Sequence, residues 1–247
     1  MVPQLNSYDA EQNISIAQND VCQLAHTISA ASQKIHIVLE QGAQCTFHVQ
    51  DLYQTEPSTI EYHFVLHAHA QLDFLISFIE SCKLSVAIYV HLQGDGAQAS
   101  VKGIYGLGGD QNLSIKTFQY HHGPHTKSDL VMKGMLKGKA LAHFEGLIFI
   151  GEQAKKTEAS QENKNILLSK QAKVISVPSI EVLQHDVQCC HGSAIGKFDE
   201  EQLWYLQSRG LPEQKAYELL VQSFFKEIVE KFEDEKVIME KLCQKMI

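Results

Sequence analysis

The fold is decided by residues 84–107, whose sequence is LSVAIYVHLQGDGAQASVKGIYGL. Two runs in it, 84–92 and 99–107, alternate large apolar side chains with small or polar ones, and glycines separate them. Alternation with a period of two residues, rich in Val, Ile and Tyr, is typical of β-strands. Similar runs continue from about residue 33 to residue 188 without a long helical pattern between them. The sequence therefore predicts a mainly β body.

A loose repeat runs through these strands, because an alanine preceded by glycine or a polar residue stands before several of them. The pairs are Gly42-Ala43, His69-Ala70, Gly96-Ala97, Lys139-Ala140, Gln153-Ala154 and Gln171-Ala172. Ala43, Ala70 and Ala97 are equally spaced, and the interval from Ala140 to Ala154 is about half as long. Short strands in such a repeat fit either a β-sandwich or a parallel β-helix, in which each coil stacks on the previous one. We favour the β-helix.

The chain divides into three parts by composition. Residues 1–30 are polar with a weak amphipathic trace, and we expect a short peripheral segment there. Residues 31–198 form the predicted β-helix core. Residues 199–247 have helical periodicity, with Asp199 as a capping residue and Gly210 just after the end of the first helix. Pro212 then suits the first turn of a second helix.

The predicted C-terminal helices carry apolar stripes. Ala216, Leu220, Phe224 and Ile228 repeat at intervals of four residues, and Ile238, Leu242 and Met246 do the same further on. An apolar stripe on a helix must be buried to be stable in water. We therefore expect these helices to pack against the β body or against a partner protein.

Composition excludes some classes of function. The 247 residues carry a net charge of −8, and the basic residues are dispersed, which argues against nucleic acid as a partner. No apolar run is long enough to span a bilayer, so we expect no membrane association. The N-terminus lacks the basic and apolar regions of a secretory signal, so we predict a cytoplasmic protein. In that compartment its six cysteines are expected to be free thiols, buried small hydrophobes or ligands rather than disulfides.

Common catalytic motifs are incomplete. The glycines of residues 106–109 lack the Gly-Lys-Ser/Thr that a P-loop needs, and GSAIG at residues 192–196 has the wrong spacing for a nucleophile elbow. Glu145, Glu152 and Glu158 are candidates for an acid–base pair of a carbohydrate-cleaving β-helix. Nothing in the sequence brings two of them together, so we favour a solvated strand face for these carboxylates.

Three histidines, His121, His122 and His125, stand close together in the segment YHHGPHTKSD. They fit a metal cluster or a structural loop. The loop is the better hypothesis, because Gly123-Pro124 is a turn dipeptide and neighbouring hydroxyl groups can bond the backbone.

The segment DVQCCHGSAIG, residues 186–196, places two cysteines directly before His191. Side chains alternate across a strand, so Cys189 and His191 share one face and Cys190 takes the other, which we expect to be the core. A thiolate and an imidazole on one face suit a soft metal or an iron–sulfur cluster. Two ligands are too few, so a partner chain must supply the rest. From spacing alone, buried cysteines and a backbone-bonded His191 are the stronger alternative.

Residues 186–229, DVQCCHGSAIGKFDEEQLWYLQSRGLPEQKAYELLVQSFFKEIV, closely resemble the C-terminal signature of the SufB/SufD family of iron–sulfur cluster assembly scaffold proteins. The segment from His121 to about residue 182 also resembles the family, including the turn at Pro124 and the run QENKNILLS. The specific resemblance covers about residues 115–232. Proteins of the SufD type carry an N-terminal helical domain, for which this chain leaves about thirty residues.

The resemblance implies a right-handed parallel β-helix followed by C-terminal helices. It also implies a dimer of the two scaffold types through the β-helix and an ABC-type ATPase, SufC, docked on the helices. Where the SufB type has a cysteine ligand this chain has Glu162, so it is similar to the SufD type. The resemblance assigns His191, with Cys189, to a transient iron–sulfur cluster at the subunit interface. No tightly bound cofactor is expected.

The function predicted on this basis is that of a non-catalytic, SufD-like scaffold subunit. Its partner would be a SufB-like scaffold, or a second copy of the chain in a homodimer. The candidate ATPase-docking residues are Trp204, Tyr205, Arg209, Leu219, Leu220 and Phe224. For each of them, packing of the helices on the β body is the alternative. The rival functions are the carbohydrate-active enzyme and an ATPase-binding adaptor with no metal role.

Overall fold

The computed structural model describes residue 5, residues 10–28 and residues 32–247. Within them, strands and helices follow one another along the chain as two separate blocks. The strands are β1 (Glu11–Ile16), β2 (Val21–Ile28), β3 (Ser32–Leu39), β4 (Gln44–Asp51), β5 (Ser58–Leu66), β6 (Gln71–Phe78), β7 (Lys83–Leu92), β8 (Gln98–Leu107), β9 (Asn112–His121), β10 (Lys127–Leu136), β11 (Leu141–Ile150), β12 (Thr157–Leu167), β13 (Lys173–Val182) and β14 (Val187–Gly196). The helices are α1 (Glu200–Ser208), α2 (Glu213–Val229) and α3 (Glu235–Met246).

The strands form two parallel sheets. In the part of the chain described, sheet A has the order β14-β12-β10-β8-β6-β4-β2 and sheet B the order β1-β3-β5-β7-β9-β11-β13. Each strand therefore pairs with the strand one coil earlier and one coil later, and consecutive strands lie in opposite sheets. This is a β-solenoid, so the predicted parallel β-helix is confirmed.

The alanine repeat marks one kind of turn between the sheets. Gly42, His69 and Gly96 have backbone φ angles of 72°, 56° and 67°, and each is followed by an alanine that is fully buried. These alanines, at positions 43, 70 and 97, recur at a constant interval, which is the length of one coil. A small side chain fits there because the chain turns tightly into the next strand.

The interior of the early coils is aromatic. Phe47, Tyr62, Phe64 and Phe74 are fully buried, and their ring centroids lie 4.8–6.4 Å apart. Their positions follow from the alternation, since every second residue of a strand faces inwards. Such rings bury large apolar areas and supply much of the stability of a core.

The β body begins earlier than the predicted boundary at residue 31. Strands β1 and β2 lie within the segment that was expected to be peripheral, and they pair in register with β3 and β4. Among the described strands, β1 and β2 each pair with one strand only, so they keep many polar positions and the alternation is weak in the sequence. Residues 1–4, 6–9 and 29–31 lie outside the described part of the chain.

The capping residues of the helices lie at or next to the predicted positions, with Pro212 one residue before the helix rather than in its first turn. The Asp199 carboxylate accepts a hydrogen bond of 2.9 Å from the Glu201 N–H at the start of α1. Gly210 follows the end of α1 with a φ of 90°, a conformation that glycine adopts without strain. Pro212 is the capping residue directly before α2.

Helices α2 and α3 pack on the outer face of sheet A. Their buried residues meet Leu75, Ile104, Val131 and Met135 of β6, β8 and β10. The predicted stripe of α3 is buried, but that of α2 is only half correct. Ala216 and Ile228 are buried, whereas Leu220 and Phe224 are half-buried, because the face in contact is centred on other residues. Those deeper residues of α2 are Val221, Phe225 and Val229.

Candidate functional site

Strand β14 is the last strand of sheet A, and it continues the inner rows of the solenoid. In the register with β12, Cys189 lies next to Ala159 and His191 next to Gln161. Ala159 and Gln161 are buried inside the solenoid, so Cys189 and His191 share the inner face. Cys189 is half-buried there, whereas His191 is exposed because no further coil covers it in the described structure.

The predicted orientation of Cys190 is wrong. Its neighbour in the register is Ser160, and both lie on the outer face of sheet A, in a groove that also contains Asp129. The Cys190 side chain is exposed, and it is Cys189 that packs against an apolar cluster containing Ile148. The alternation of a strand predicts which residues share a face, but it does not predict which of the two faces points into the solenoid.

The C-terminal end of the solenoid is open. β13 and β14 each pair with one neighbouring strand among the described residues, so each leaves one backbone edge unpaired. Large apolar side chains are exposed near these edges: Ile175, Val177, Val182, Leu183 and Ile195. An edge strand with exposed apolar side chains is a template for pairing with another chain.

The donor atoms at this end are few. Cys189 supplies sulfur and His191 supplies nitrogen, which suit soft or borderline transition metals. No group of three or more metal-ligating side chains occurs in the described ranges. Glu162 does not join them, because it lies on the outer face and pairs with Lys164 at 2.7 Å. A metal centre at this end therefore needs ligands from outside the described chain.

The three histidines of this segment differ in their surroundings. His122 stacks on His91 and Tyr120, whereas the other two bond to polar side chains. His121 is fully buried and is hydrogen-bonded to Thr126 Oγ1 and Ser128 Oγ, each at 2.8 Å. Burial lowers the pKa of His121 to about 3. His125 lies at a turn with a φ of 54° and pairs with Asp95 at 2.7 Å. The structural-loop hypothesis is therefore correct for His121 and His125.

The candidate carboxylates do not form a catalytic pair. Glu145 lies on β11 of sheet B and pairs with Lys116 at 2.9 Å. Glu158 lies on β12 of sheet A and pairs with Lys127 at 3.0 Å. The two sheets face in opposite directions, so these carboxylates lie on opposite outer surfaces, each neutralised by a lysine. The third carboxylate, Glu152, is exposed in the turn between β11 and β12.

Helix α1 presents an aromatic surface. Trp204 is 69% exposed and Tyr205 is 53% exposed, and α1 has no buried residue. The Arg209 guanidinium lies 5.1 Å from the centroid of the Tyr205 ring, a cation–π contact that orders both side chains. An exposed tryptophan on a helix that buries nothing is typical of a protein-binding surface.

The candidates on α2 have different surroundings. Leu220 is half-buried in a groove between α1 and α2 that Tyr205 also lines, and Leu219 lies in a groove between α2 and α3. Phe224 instead packs against Phe225, and Lys133 Nζ of β10 lies 5.7 Å from its ring centroid. Phe224 therefore contacts the β body, whereas the two leucines line open grooves.

Comparison with known proteins identifies the family. The family described as the SUF system FeS cluster assembly SufBD core domain matches residues 8–224, which is most of the chain. The chain belongs to the SufBD family.

Individual relatives favour the SufD type. The chain is 28% identical over 193 residues to the iron–sulfur cluster assembly protein SufD of Escherichia coli. The aligned region covers 76% of this chain and 46% of that protein. The chain is 33% identical over 209 residues to a SufBD family protein of Mycobacterium leprae, covering 81% of this chain and 53% of the relative. Similarity to SufB of Bacillus subtilis is weaker, at 23% identity. The chain spans about half the length of these curated relatives.

One feature of this SufD-type chain has only a weak signal in its sequence. The inner face of β12 is polar: Gln161, Asn163 and Asn165 alternate in QENKN and are all buried. Asn165 Nδ2 donates to Asn163 Oδ1 at 2.7 Å, and Tyr105 donates its hydroxyl proton to Asn165 Oδ1. Burial raises the pKa of Tyr105 to about 12, so its hydroxyl group keeps the proton that it donates. Gln119 lies beside this network and donates to Gln161 Oε1 at 3.4 Å.

Proposed function

We propose that this chain is a SufD-type scaffold subunit that pairs with a SufB-type scaffold through its last coil and recruits a SufC-type ABC ATPase through its C-terminal helices. It performs no catalysis itself. One observation carries the proposal: the solenoid ends in an open coil whose inner face presents Cys189 and His191. A second solenoid placed against the free edges would extend both sheets and would cover these side chains.

The cluster is the cargo of such an interface. His191 and Cys189 would supply one nitrogen and one sulfur ligand, and the partner would complete the ligand set. A site divided between two subunits holds a cluster only while they are apposed. This suits an assembly scaffold, which must release its product.

ATPase recruitment falls to the exposed part of the helices. Trp204, Tyr205 and Arg209 on α1 form a binding surface of the composition typical of interaction hot spots. Leu219 and Leu220 extend it along α2. Phe224 has a supporting role, because it packs against the β body.

A cytoplasmic location fits this proposal, because all six cysteines are free thiols in the structure. The helices of the described residues include none that is long and apolar enough to cross a bilayer.

The test is co-expression of the chain with a SufB-type scaffold and a SufC-type ATPase from the same host, followed by size exclusion with mass determination. We expect a complex that contains all three proteins. Co-elution with the ATPase alone would favour a homodimer or an adaptor. Elution of the chain by itself, without either protein, would contradict the proposal.

Two variants of the inner face test the role of the open coil in the same complex. His191→Ala and Cys189→Ser should leave the complex intact and reduce the iron and sulfide that it carries after reconstitution. Cys190→Ser is the matched control, since that thiol lies on the outer face, and we expect normal cluster content. Full cluster content in His191→Ala would favour the adaptor without a metal role.

A further inference from the structure

Four buried polar atoms near the end of the solenoid have no hydrogen-bond partner among the described residues. They are Thr117 Oγ1, Gln119 Oε1, Gln161 Nε2 and Ser176 Oγ. Thr117, Gln119 and Gln161 are each 1% exposed. An unsatisfied buried polar group costs about 1–3 kcal/mol, and native proteins satisfy such groups with ordered water where the protein offers no partner.

Two of these atoms belong to the neighbouring side-chain amides of Gln119 and Gln161, which share a hydrogen bond. Gly146 makes the space for that amide, because a Cβ at Gly146 would lie 2.4 Å from the Gln161 Nε2 and Oε1 atoms. Gly146 pairs in register with Thr117 on one side and with Pro178 on the other. Ser176 precedes Pro178 by two residues, so it lies on the same inner face. The four polar atoms therefore all lie on inner faces of the coils between β9 and β13.

Gln161 connects this polar interior with His191. Gln161 and His191 are register partners on the inner face of neighbouring strands, which are about 4.8 Å apart. The inner positions of β12 and β14 carry no aspartate, glutamate, lysine or arginine. Neutral donors and acceptors without a nearby charged side chain suit a neutral ligand that can both donate and accept hydrogen bonds.

We propose that ordered water fills this part of the interior and that one water links Gln161 Nε2 to a ring N–H of His191. That water accepts a hydrogen bond from each group, and further waters in the same interior donate towards Gln119 Oε1 and Thr117 Oγ1. The imidazole then holds its proton on the inward nitrogen, and its other nitrogen faces the open end, free to bind a metal. Gln161 is thus a positioning residue for His191.

The water link between Gln161 and His191 extends the proposed function. Only the role of His191 in metal binding rests on that function. Histidines that ligate metals usually donate their other N–H to a fixed acceptor, which sets the tautomer and the ring orientation. Loss of such a partner typically lowers metal affinity by about 10–100-fold. The bridging water gives His191 this acceptor on the solenoid side, because no protein carboxylate is present on that face.

The decisive experiment compares Gln161→Leu with Gln33→Leu by ¹⁵N NMR of the histidine rings. Gln33 is a matched control, because it is buried and bonded to a histidine, His26, in the early coils. The His191 signal is assigned by its loss in His191→Ala. We expect one tautomer of His191 in the wild type and in Gln33→Leu, and a mixture in Gln161→Leu. An unchanged His191 tautomer in Gln161→Leu would overturn the proposal.

Two further measurements cover the remaining outcomes. A high-resolution crystal structure of the wild type should show water within hydrogen-bond distance of Gln161 Nε2 and His191, and a dry interior would overturn the proposal even if Gln161→Leu fails to fold.

Co²⁺ titration of the complex with the SufB-type partner should show about 10–100-fold weaker binding for Gln161→Leu. If His191→Ala leaves Co²⁺ binding unchanged while the tautomer result holds, the metal role fails and the water link stands.

Discussion

The early coils and the last coils of the solenoid have the same backbone but interiors of different composition. Between β4 and β6 the interior is filled by aromatic rings that are fully buried. Between β9 and β14 it contains amides, hydroxyl groups and the exposed imidazole of His191. The backbone hydrogen bonds between coils do not depend on the side chains. The fold can therefore place stability at one end and a polar site at the other.

The largest expected effect tests this difference in stability. Ile60→Ala in β5 removes a fully buried side chain and should lower the free energy of unfolding by about 2–5 kcal/mol. Ile180→Ala in β13 removes a half-buried one and should cost about 1 kcal/mol, because its site is partly open to water. Urea denaturation of both variants measures the two losses. Equal losses would show that the last coil is as tightly packed as the early ones.

Acid should destabilise the protein through two buried histidines. Burial lowers the pKa of His26 to about 4 and that of His121 to about 3. Between a pH near 6.5 and these values the unfolded chain binds more protons than the folded one, so stability falls as the pH is lowered. From pH 7 to pH 5 each histidine should cost about 2 kcal/mol. Urea denaturation midpoints at pH 7 and pH 5 measure this loss of stability. The midpoint of His26→Asn should decrease less between the two pH values than that of the wild type. An equal decrease would exclude His26 as a source of the pH dependence.

A smaller effect concerns the attachment of α2 to the β body. Lys133 Nζ lies 2.8 Å from the Glu227 carboxylate, and this ion pair holds the pKa of Glu227 below its usual range. Glu227 is largely exposed, so Glu227→Gln should lower stability by less than about 1 kcal/mol. Thermal unfolding at low and high salt measures this loss, with Lys215→Gln as a control for an ion pair within α2 that does not involve the β body. A loss several times larger than that of the control would mean that the pair is central to helix docking.

The smallest expected effect on stability comes with the largest expected effect on binding. Trp204→Ala removes a side chain that is 69% exposed and should change the unfolding free energy by less than about 0.5 kcal/mol. The same variant should lose the ATPase in size exclusion of the co-expressed complex, whereas Val237→Ala, an exposed change on α3, should keep it. A large loss of stability in Trp204→Ala would assign the residue to packing.

Much of this fold follows from the sequence because a solenoid is local and repetitive. The alternation of the strands and the regular spacing of Ala43, Ala70 and Ala97 depend only on neighbouring coils, so each coil provides the same signal. The terminal coils break that signal, since each of their strands pairs with a single strand in the part of the chain that the structure describes. This is why the polar strands β1 and β2 did not stand out from the predicted peripheral segment.

The site was harder to predict for the same reason. The pairing of Cys189 with His191 on one face follows from the strand period, but the direction of that face is set by contacts with β12. Buried Gln161, Asn163 and Asn165 contradict the expectation that the polar positions of a strand face water. Only the register of the stacked coils shows that these amides lie behind His191.

The stacking of the coils also converts chain length into distance. Each coil adds about 4.8 Å along the solenoid, so the three strand steps from β8, which both α2 and α3 contact, to β14 at the open end span about 14 Å. Insertion of one whole coil between them would lengthen this separation by one step and leave both ends chemically unchanged. The number of coils is therefore a spacing that evolution or design can set independently of either binding surface.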